Sequence, residues 1–304
     1  MPCDDIYLEL NETIKVFEMK KDVALALSSG GDRGLAHIGA IEELEEQGYR
    51  ISAVAGCSMG ALIGGVYAAG KLKEFREWMK TIDRKKMLEL TDFSLSLNHI
   101  VKGTRIIEAI MEFVPDMPIE DLPIPYCAVA TDWKSGREVT FRRGSLFQAI
   151  RASISLPTFY EPVQRDGMIL IDGGVTNPIP MNRVARHKGD IMVAIDVSGL
   201  DYEGEWETQH EIAEKRKNTT SLSRMILNKL LPDNLEFNYY TMLSRSCSLM
   251  IRQNSILMAK LMKPDVLVDI QMSRYGGFDY DKSEKIIAIG HQKTSLALNK
   301  YEQH

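Results

Sequence analysis

The sequence predicts an α/β protein: a mostly parallel central sheet flanked by helices, with a helical region towards its C-terminal end. Three observations predict it. Short uninterrupted apolar runs at Val23–Leu27 (VALAL), Ile51–Ala55 (ISAVA), Tyr126–Thr131 (YCAVAT) and Ile191–Val197 (IMVAIDV) have the make-up of strands covered on both faces. Helical patterns alternate with the first two runs, the order that builds a parallel sheet through crossover connections. Glycine-rich turns stand where each of those strands hands over to its helix, SSGGDRG after the first and GCSMG after the second.

Behind the first glycine loop, Leu35, Ile38, Ile41 and Leu44 fall on one helical face. Glu42, Glu43, Glu45 and Glu46 fall largely on the other, and Gly48 supplies a stop. Ala61–Ala69 is a helix of small residues ended by Gly70. Residues 71–120 read as polar and helical, with helices predicted over Leu72–Ile82 and Thr104–Phe113. Glu138–Phe141 suits a strand beside a neighbour, and Phe147–Ser153 a helix. EPVQRDGMILIDGG reads as two strands joined at Asp166-Gly167, a strong hairpin turn. After Leu200 the character changes. A charged run over 202–217 suits a solvated face, and Leu222, Met225, Ile226 and Leu230 recur at helical spacing. A longer helix is predicted from about Leu235 to Lys263, then a last strand over Val266–Ile270 and a last helix over Asp281–Asn299.

With 304 residues, 44% of them apolar, the chain can bury a large core. A net charge of -5 gives no electrostatic case for a nucleic-acid partner. Cys3, Cys57, Cys127 and Cys247 are scattered without C-x-x-C spacing, which excludes the pattern of a disulfide framework or a zinc site. The N-terminal residues lack the apolar core of a signal peptide, and no run approaches the ~18 apolar residues of a membrane span. The expected location is therefore cytoplasmic. The amphipathic stretch Ser221–Leu231, with Met242, Met250, Met258 and Met262 downstream, fits an acyl-channel cover or a peripheral membrane contact. A packed helical core explains the same pattern more simply. Oligomeric state is not encoded in any pattern of the chain.

The second glycine turn carries the chemistry. Gly56-Cys57-Ser58-Met59-Gly60 fits G-x-S-x-G, in which a serine occupies a sharp strand-to-helix turn and the flanking glycines let the chain fold back. The helix start places the Met59 N–H beside Ser58, where it can donate to a developing oxyanion. A serine hydroxyl needs a base. Among 6 histidines, His187 and His291 come late enough for a Ser-Asp-His chain order. Asp172 is better placed: it ends the apolar strand Met168–Ile171 and precedes Gly173-Gly174, so it reaches the sheet edge where ligands gather. Its ordinary pKa near ~3.9 makes a feeble base, which burial in an apolar site would strengthen. The loop at Gly30 and Gly31 turns N–H groups toward something negative, a phosphate or an oxyanion. The G-x-G-x-x-G nucleotide fingerprint is incomplete there, since Ser29 takes its first position.

SSGGDRG, GCSMG and DGG, in that order, resemble the patatin-like phospholipase family, whose lipid acyl hydrolases use a Ser-Asp dyad. The likeness is strongest to the bacterial branch and runs from about Val23 to Ser198, taking in ATDWKSGREVTFRRG, AIRASISLP and VTNPIP. It implies a patatin-like catalytic domain over 20–199, with 200–304 a mainly helical extension packed on it. It implies Ser58 as nucleophile and Asp172 as its base. The oxyanion hole is then formed by Gly30 and Gly31 together with Met59. Ser29, Arg33 and Gly34 position the loop, and Gly56, Gly60, Gly173 and Gly174 are motif glycines. The family usually has three glycines where this chain has Ser29-Gly30-Gly31, and commonly a small residue at Asp32. Ser29 is expected to cost backbone freedom if its φ is positive. Asp32 is expected to bring negative charge near the site.

The expected function is a serine lipid acyl hydrolase of phospholipase A, lysophospholipase or esterase type. Its substrate would be a phospholipid or other fatty acyl ester, and the chemistry needs neither metal nor cofactor. Two rivals stand beside it: a Ser-His-Asp esterase using His187 or His291, and a non-catalytic lipid-binding protein on the same fold.

Overall fold

The computed structural model describes residues 21–82, 86, 89–90, 99–101, 103–199, 239–271 and 282–303. The predicted amphipathic stretch Ser221–Leu231 and the charged run 202–217 lie outside these residues. Strand β1 (Asp22–Leu27) leads through a 3-10 turn at Gly31–Leu35 into α1 (Ala36–Glu46). Strand β2 (Arg50–Cys57) leads into α2 (Met59–Ala68), followed by α3 (Leu72–Lys80), β3 (His99–Val101) and α4 (Thr104–Met111). Next come β4 (Tyr126–Asp132), β5 (Glu138–Phe141) and α5 (Leu146–Ser153), whose capping Ser145 side chain accepts the Gln148 N–H. Short strands β6 (Thr158–Tyr160) and β7 (Val163–Arg165) precede β8 (Met168–Asp172) and the long β9 (Ile191–Gly199). Helix α6 (Tyr239–Met262), strand β10 (Val266–Gln271) and helix α7 (Ser283–Glu302) complete the described chain.

One eight-stranded sheet runs in the order β10-β9-β1-β2-β4-β8-β7, with β5 also paired to β4. β10, β9, β1, β2 and β4 are mutually parallel, while β5 and β8 pair antiparallel to β4 and β7 pairs antiparallel to β8. The two-residue period of a strand sorts its side chains between two cores. Val23, Leu25 and Leu27 of β1 join the main cluster with Ile38, Ile41 and Leu44 of α1 and Ile286, Ile287 and Leu298 of α7. Ala24 and Ala26 face the other way, into a smaller cluster with Met181, Met192, Ala194 and the α6 residues Met258 and Ala259.

α1 and α7 cross in backbone contact. A Cβ on Gly39 would lie 2.0 Å from the Ile287 carbonyl oxygen, and one on Gly290 would lie 2.0 Å from that of Ala36. This crossing changes one expectation. Glu43 belongs to the polar face of the isolated helix, yet it is buried because α7 covers that face and brings His291 against it. β10 and α7 thus extend the sheet and close its main core. Strands β3 and β6, which form a separate two-stranded sheet, are three residues each and carry no readable period in the sequence.

Candidate active site

Ser58 sits between the last residue of β2 and the first of α2, at φ 56° and ψ -123°. A non-glycine residue at positive φ is costly and survives only where the surroundings enforce it. The flanking glycines are part of that enforcement. A Cβ on Gly56 would meet the Gly60 carbonyl oxygen at 2.2 Å, and one on Gly60 would meet that of Leu27 at 2.4 Å. Ser153, fully buried at the end of α5, holds the turn from the side. Its Oγ accepts the Ser58 N–H at 2.8 Å and donates to the Val129 carbonyl at 2.6 Å.

Strand pairing brings Asp172 to this turn. β5 lies along one edge of β4. Along the other, β2 pairs with Tyr126–Val129 and β8 takes over at Ala130–Asp132. β2 is parallel to β4 and β8 antiparallel, so their C-terminal ends meet head-on, Cys57 opposite Val129 and Asp172 opposite Ala130. The Ser58 Oγ–H donates to Asp172 Oδ2 at 2.5 Å, while Asp172 Oδ1 accepts the Gly174 N–H at 2.7 Å. One carboxylate oxygen is thereby fixed to the backbone and the other is presented to the serine. The Cys57 thiol lies 3.9 Å from Asp172 Oδ1, and burial pushes its pKa well up, which keeps it neutral.

Asp172 is 1% exposed. Burial raises its pKa to about 6, against the opposing pull of hydrogen bonds from Ser58, Gly174 and Cys57. That value suits a group that must accept and return a proton near neutral pH.

The first glycine loop lies beside the same strand ends. The Ser29 N–H is engaged by the Pro178 carbonyl at 2.8 Å, and Ser29 is absent from the positive-φ residues, so the expected backbone cost does not arise. Gly31 does take positive φ, at 56°. Gly31 and Met59 each open a helical turn, where a backbone N–H has no acceptor within the helix. Arg33 Nε donates to the Gly30 carbonyl at 3.1 Å, tying the loop across its base. Gly34 makes room for the Met59 side chain, whose Cγ would lie 2.1 Å from a Cβ there. Asp32 is half-buried within the turn.

Two residues add to this frame without a sequence signal of their own. Besides Ser153, His37 is fully buried with Nε2 2.9 Å from the Ser28 carbonyl, and burial lowers its pKa to about 4. A neutral ring donating from Nε2 pins the point where β1 becomes the loop. Ser28 Oγ in turn accepts the Val197 N–H from β9 at 2.9 Å.

The histidines considered as bases lie elsewhere. His187 just precedes β9, whose first residue pairs with Val23, so it stands at the opposite edge of the sheet from Ser58. Its Nδ1 lies 3.4 Å from Asp190. His291 on α7 faces Glu43 at 2.6 Å and Glu46 at 2.9 Å, three residues whose ligand atoms lie within 4.8 Å of one another and answer each other's hydrogen-bonding needs. Among the described residues, no helix is long and apolar enough to cross a membrane.

Comparison with known proteins follows the same residues. A family model described as "Patatin-like phospholipase" matches residues 25–185. An "uncharacterized NTE family protein" of Mycobacterium tuberculosis is 48% identical over 179 residues, 59% of this chain and 50% of the relative. Human patatin-like phospholipase domain-containing protein 6 is 36% identical over 188 residues, 59% of this chain and 14% of that protein. The chain thus spans half the length of the first relative and much less of the second. VipD from Legionella pneumophila superposes with a TM-score of 0.46 at 12% identity, over 93% of this chain and 67% of that one, and no assignment rests on it. The family match covers more than half of the sequence and includes the glycine loop, the Ser58 turn and Asp172; the chain belongs to the patatin-like phospholipase family.

Proposed function

We propose that this protein is a serine lipid acyl hydrolase in which Ser58 and Asp172 act as a catalytic dyad. The observation that carries this reading is the 2.5 Å contact between Ser58 Oγ and the buried Asp172 carboxylate, made at a strained turn. Ser58 Oγ attacks the ester carbonyl carbon as its proton passes to Asp172 Oδ2. The N–H groups of Gly30, Gly31 and Met59 serve as oxyanion donors for the tetrahedral intermediate, worth several kcal/mol, about 3 per donor, at such sites. When the intermediate collapses, the alcohol leaves with the proton from Asp172 and the acyl group stays on Ser58. A water then gives its proton to Asp172, attacks the acyl carbon and releases the fatty acid, and the proton returns to Ser58.

Family membership supports a lipid ester as substrate, and glycerophospholipids, lysophospholipids and simpler fatty acyl esters all offer the required bond. The test is fatty acid release from a lysophospholipid, run beside a short-chain nitrophenyl ester. Ser58→Ala and Asp172→Asn should each lower turnover by at least about a thousandfold while the protein stays folded. Activity surviving in Asp172→Asn would remove the dyad. A wild-type protein inert toward both esters and toward a serine-directed fluorophosphonate would leave a lipid-binding protein on a hydrolase fold.

A further inference from the structure

Exposed apolar side chains border the sheet edge that holds Ser58 and Asp172, and they come from elements on either side of it. On one side is α6. Met258 and Ala259 pack on the cluster containing Met192 and Ala194, whereas Ser255 and Arg252 reach Asp196 at 2.6 and 2.9 Å. Moving toward the N-terminus of α6 therefore means moving toward the C-terminus of β9, so the helix climbs to the candidate site. At 1.5 Å per residue, Met242 lies about 15 Å beyond Arg252 along the helix. The middle of α6 touches the turn after Asp172, where Ile251 Cδ1 would lie 3.3 Å from a Cβ on Gly174. Met242 and Met250 are 57% and 58% exposed, and Leu249 is exposed beside them. Helical spacing places all three on one face.

On the other side is the tip of the hairpin between β4 and β5. Trp133 is 65% exposed there, with exposed Lys134 and Arg137 in the same turn. Between the two, exposed Val175 follows Asp172 by three residues. Charge follows a pattern as well. The rim end of α6, residues 239–250, holds exposed Arg245 and no acidic residue, whereas Lys260 and Lys263 lie toward the opposite end of the helix. Arg252 is engaged by Asp196 and Asp269. An apolar face with cations and an aromatic anchor is the chemistry of a segment lying in a lipid interface, where rings and thioethers enter the acyl boundary and cations meet anionic headgroups.

We propose that the rim formed by Trp133, Val175, Met242, Leu249 and Met250 docks this protein on an anionic phospholipid surface, with the candidate site opening toward the leaflet. Lipid as the occupant rests on the ester chemistry proposed for Ser58. Docking is measured on full-length Ser58→Ala protein, so that the lipid is not consumed, using vesicles of phosphatidylcholine with or without phosphatidylglycerol. Binding should be stronger to the anionic vesicles and should weaken as salt rises. Tryptophan emission should shift to the blue on binding, and Trp133→Phe should remove that shift although Trp78 and Trp206 remain. Met242→Glu combined with Met250→Glu should weaken binding by at least about tenfold, and Lys134→Gln or Arg137→Gln by roughly fivefold each. These side chains are exposed, and an unchanged melting curve checks that the fold is intact. Absence of vesicle binding, equal binding to both vesicle types, or binding indifferent to these substitutions overturns the proposal. So does loss of a dimer in the same variants, which would make a second copy of the chain the occupant. Nitrophenyl ester turnover by wild type reads the Ser58 chemistry separately, so either idea can fail alone.

Discussion

Burial of Asp172 acts on a single proton in two ways. It raises the proton affinity of the carboxylate, and it makes the charged form costly to the fold. The folded-state pKa of about 6 lies above the ordinary value of 3.8, so the native state holds the extra proton between roughly pH 4 and 6. Stability therefore falls as pH rises through that window, by an amount on the order of 2–3 kcal/mol once the group is ionised. Asp172→Asn should melt at a higher temperature than wild type at pH 8, with the advantage gone near pH 4. Catalysis should move the other way, with kcat/KM rising through about pH 6 to a plateau. A pH-rate profile without that rise would argue against Asp172 as the base. Ser153→Ala would leave the Ser58 N–H and the Val129 carbonyl unsatisfied in a buried place, costing about 1–3 kcal/mol. Thermal melting and ester turnover should both register it. Ser58 and Asp172 could be picked out of the sequence as candidates because glycine spacing and a strand end are local signals. Ser153 was not, because its partners lie 95 and 24 residues away.

At the scale of elements, the candidate site is the product of two strands meeting end to end along one edge of β4. The strands themselves could be read, as apolar runs closed by glycines, and so could the hairpin at Asp166-Gly167 that turns β7 into β8. Their meeting could not, because antiparallel entry of β8 beside the end of β2 is a pairing between segments more than a hundred residues apart. The strand-to-helix turn depends on Gly60 being bare. Gly60→Ala would drive a Cβ into the Leu27 backbone, and the relief would have to come from β1 or from the turn itself. A loss of about 1–3 kcal/mol is expected, with turnover falling further than stability alone would explain, since Ser58 Oγ moves with the turn. Near-wild-type turnover in Gly60→Ala would show that the turn tolerates the displacement.

For the whole molecule, the main core is not complete without α7. The sequence reading makes 200–304 a mainly helical extension packed on the preceding domain, and in the structure β10 pairs with β9 and α7 lies against α1 across two glycines. Composition does not reveal which helix α7 meets, because its partner glycine, Gly39, lies about 250 residues earlier in the chain. Gly290→Val should lower stability by about 1–3 kcal/mol or more by forcing the two backbones apart, and denaturant unfolding would measure it. The crossing of α1 and α7 also has a consequence for how the chain is made. The glycine loop and the Ser58 turn leave the ribosome before β9 and α7, so at that stage β1 lacks its β9 neighbour and α1 its cover. Only when Gly290 has emerged can the frame close around them. A nascent chain from which Gly290 has not yet emerged therefore presents Ser58 without the frame that holds its turn.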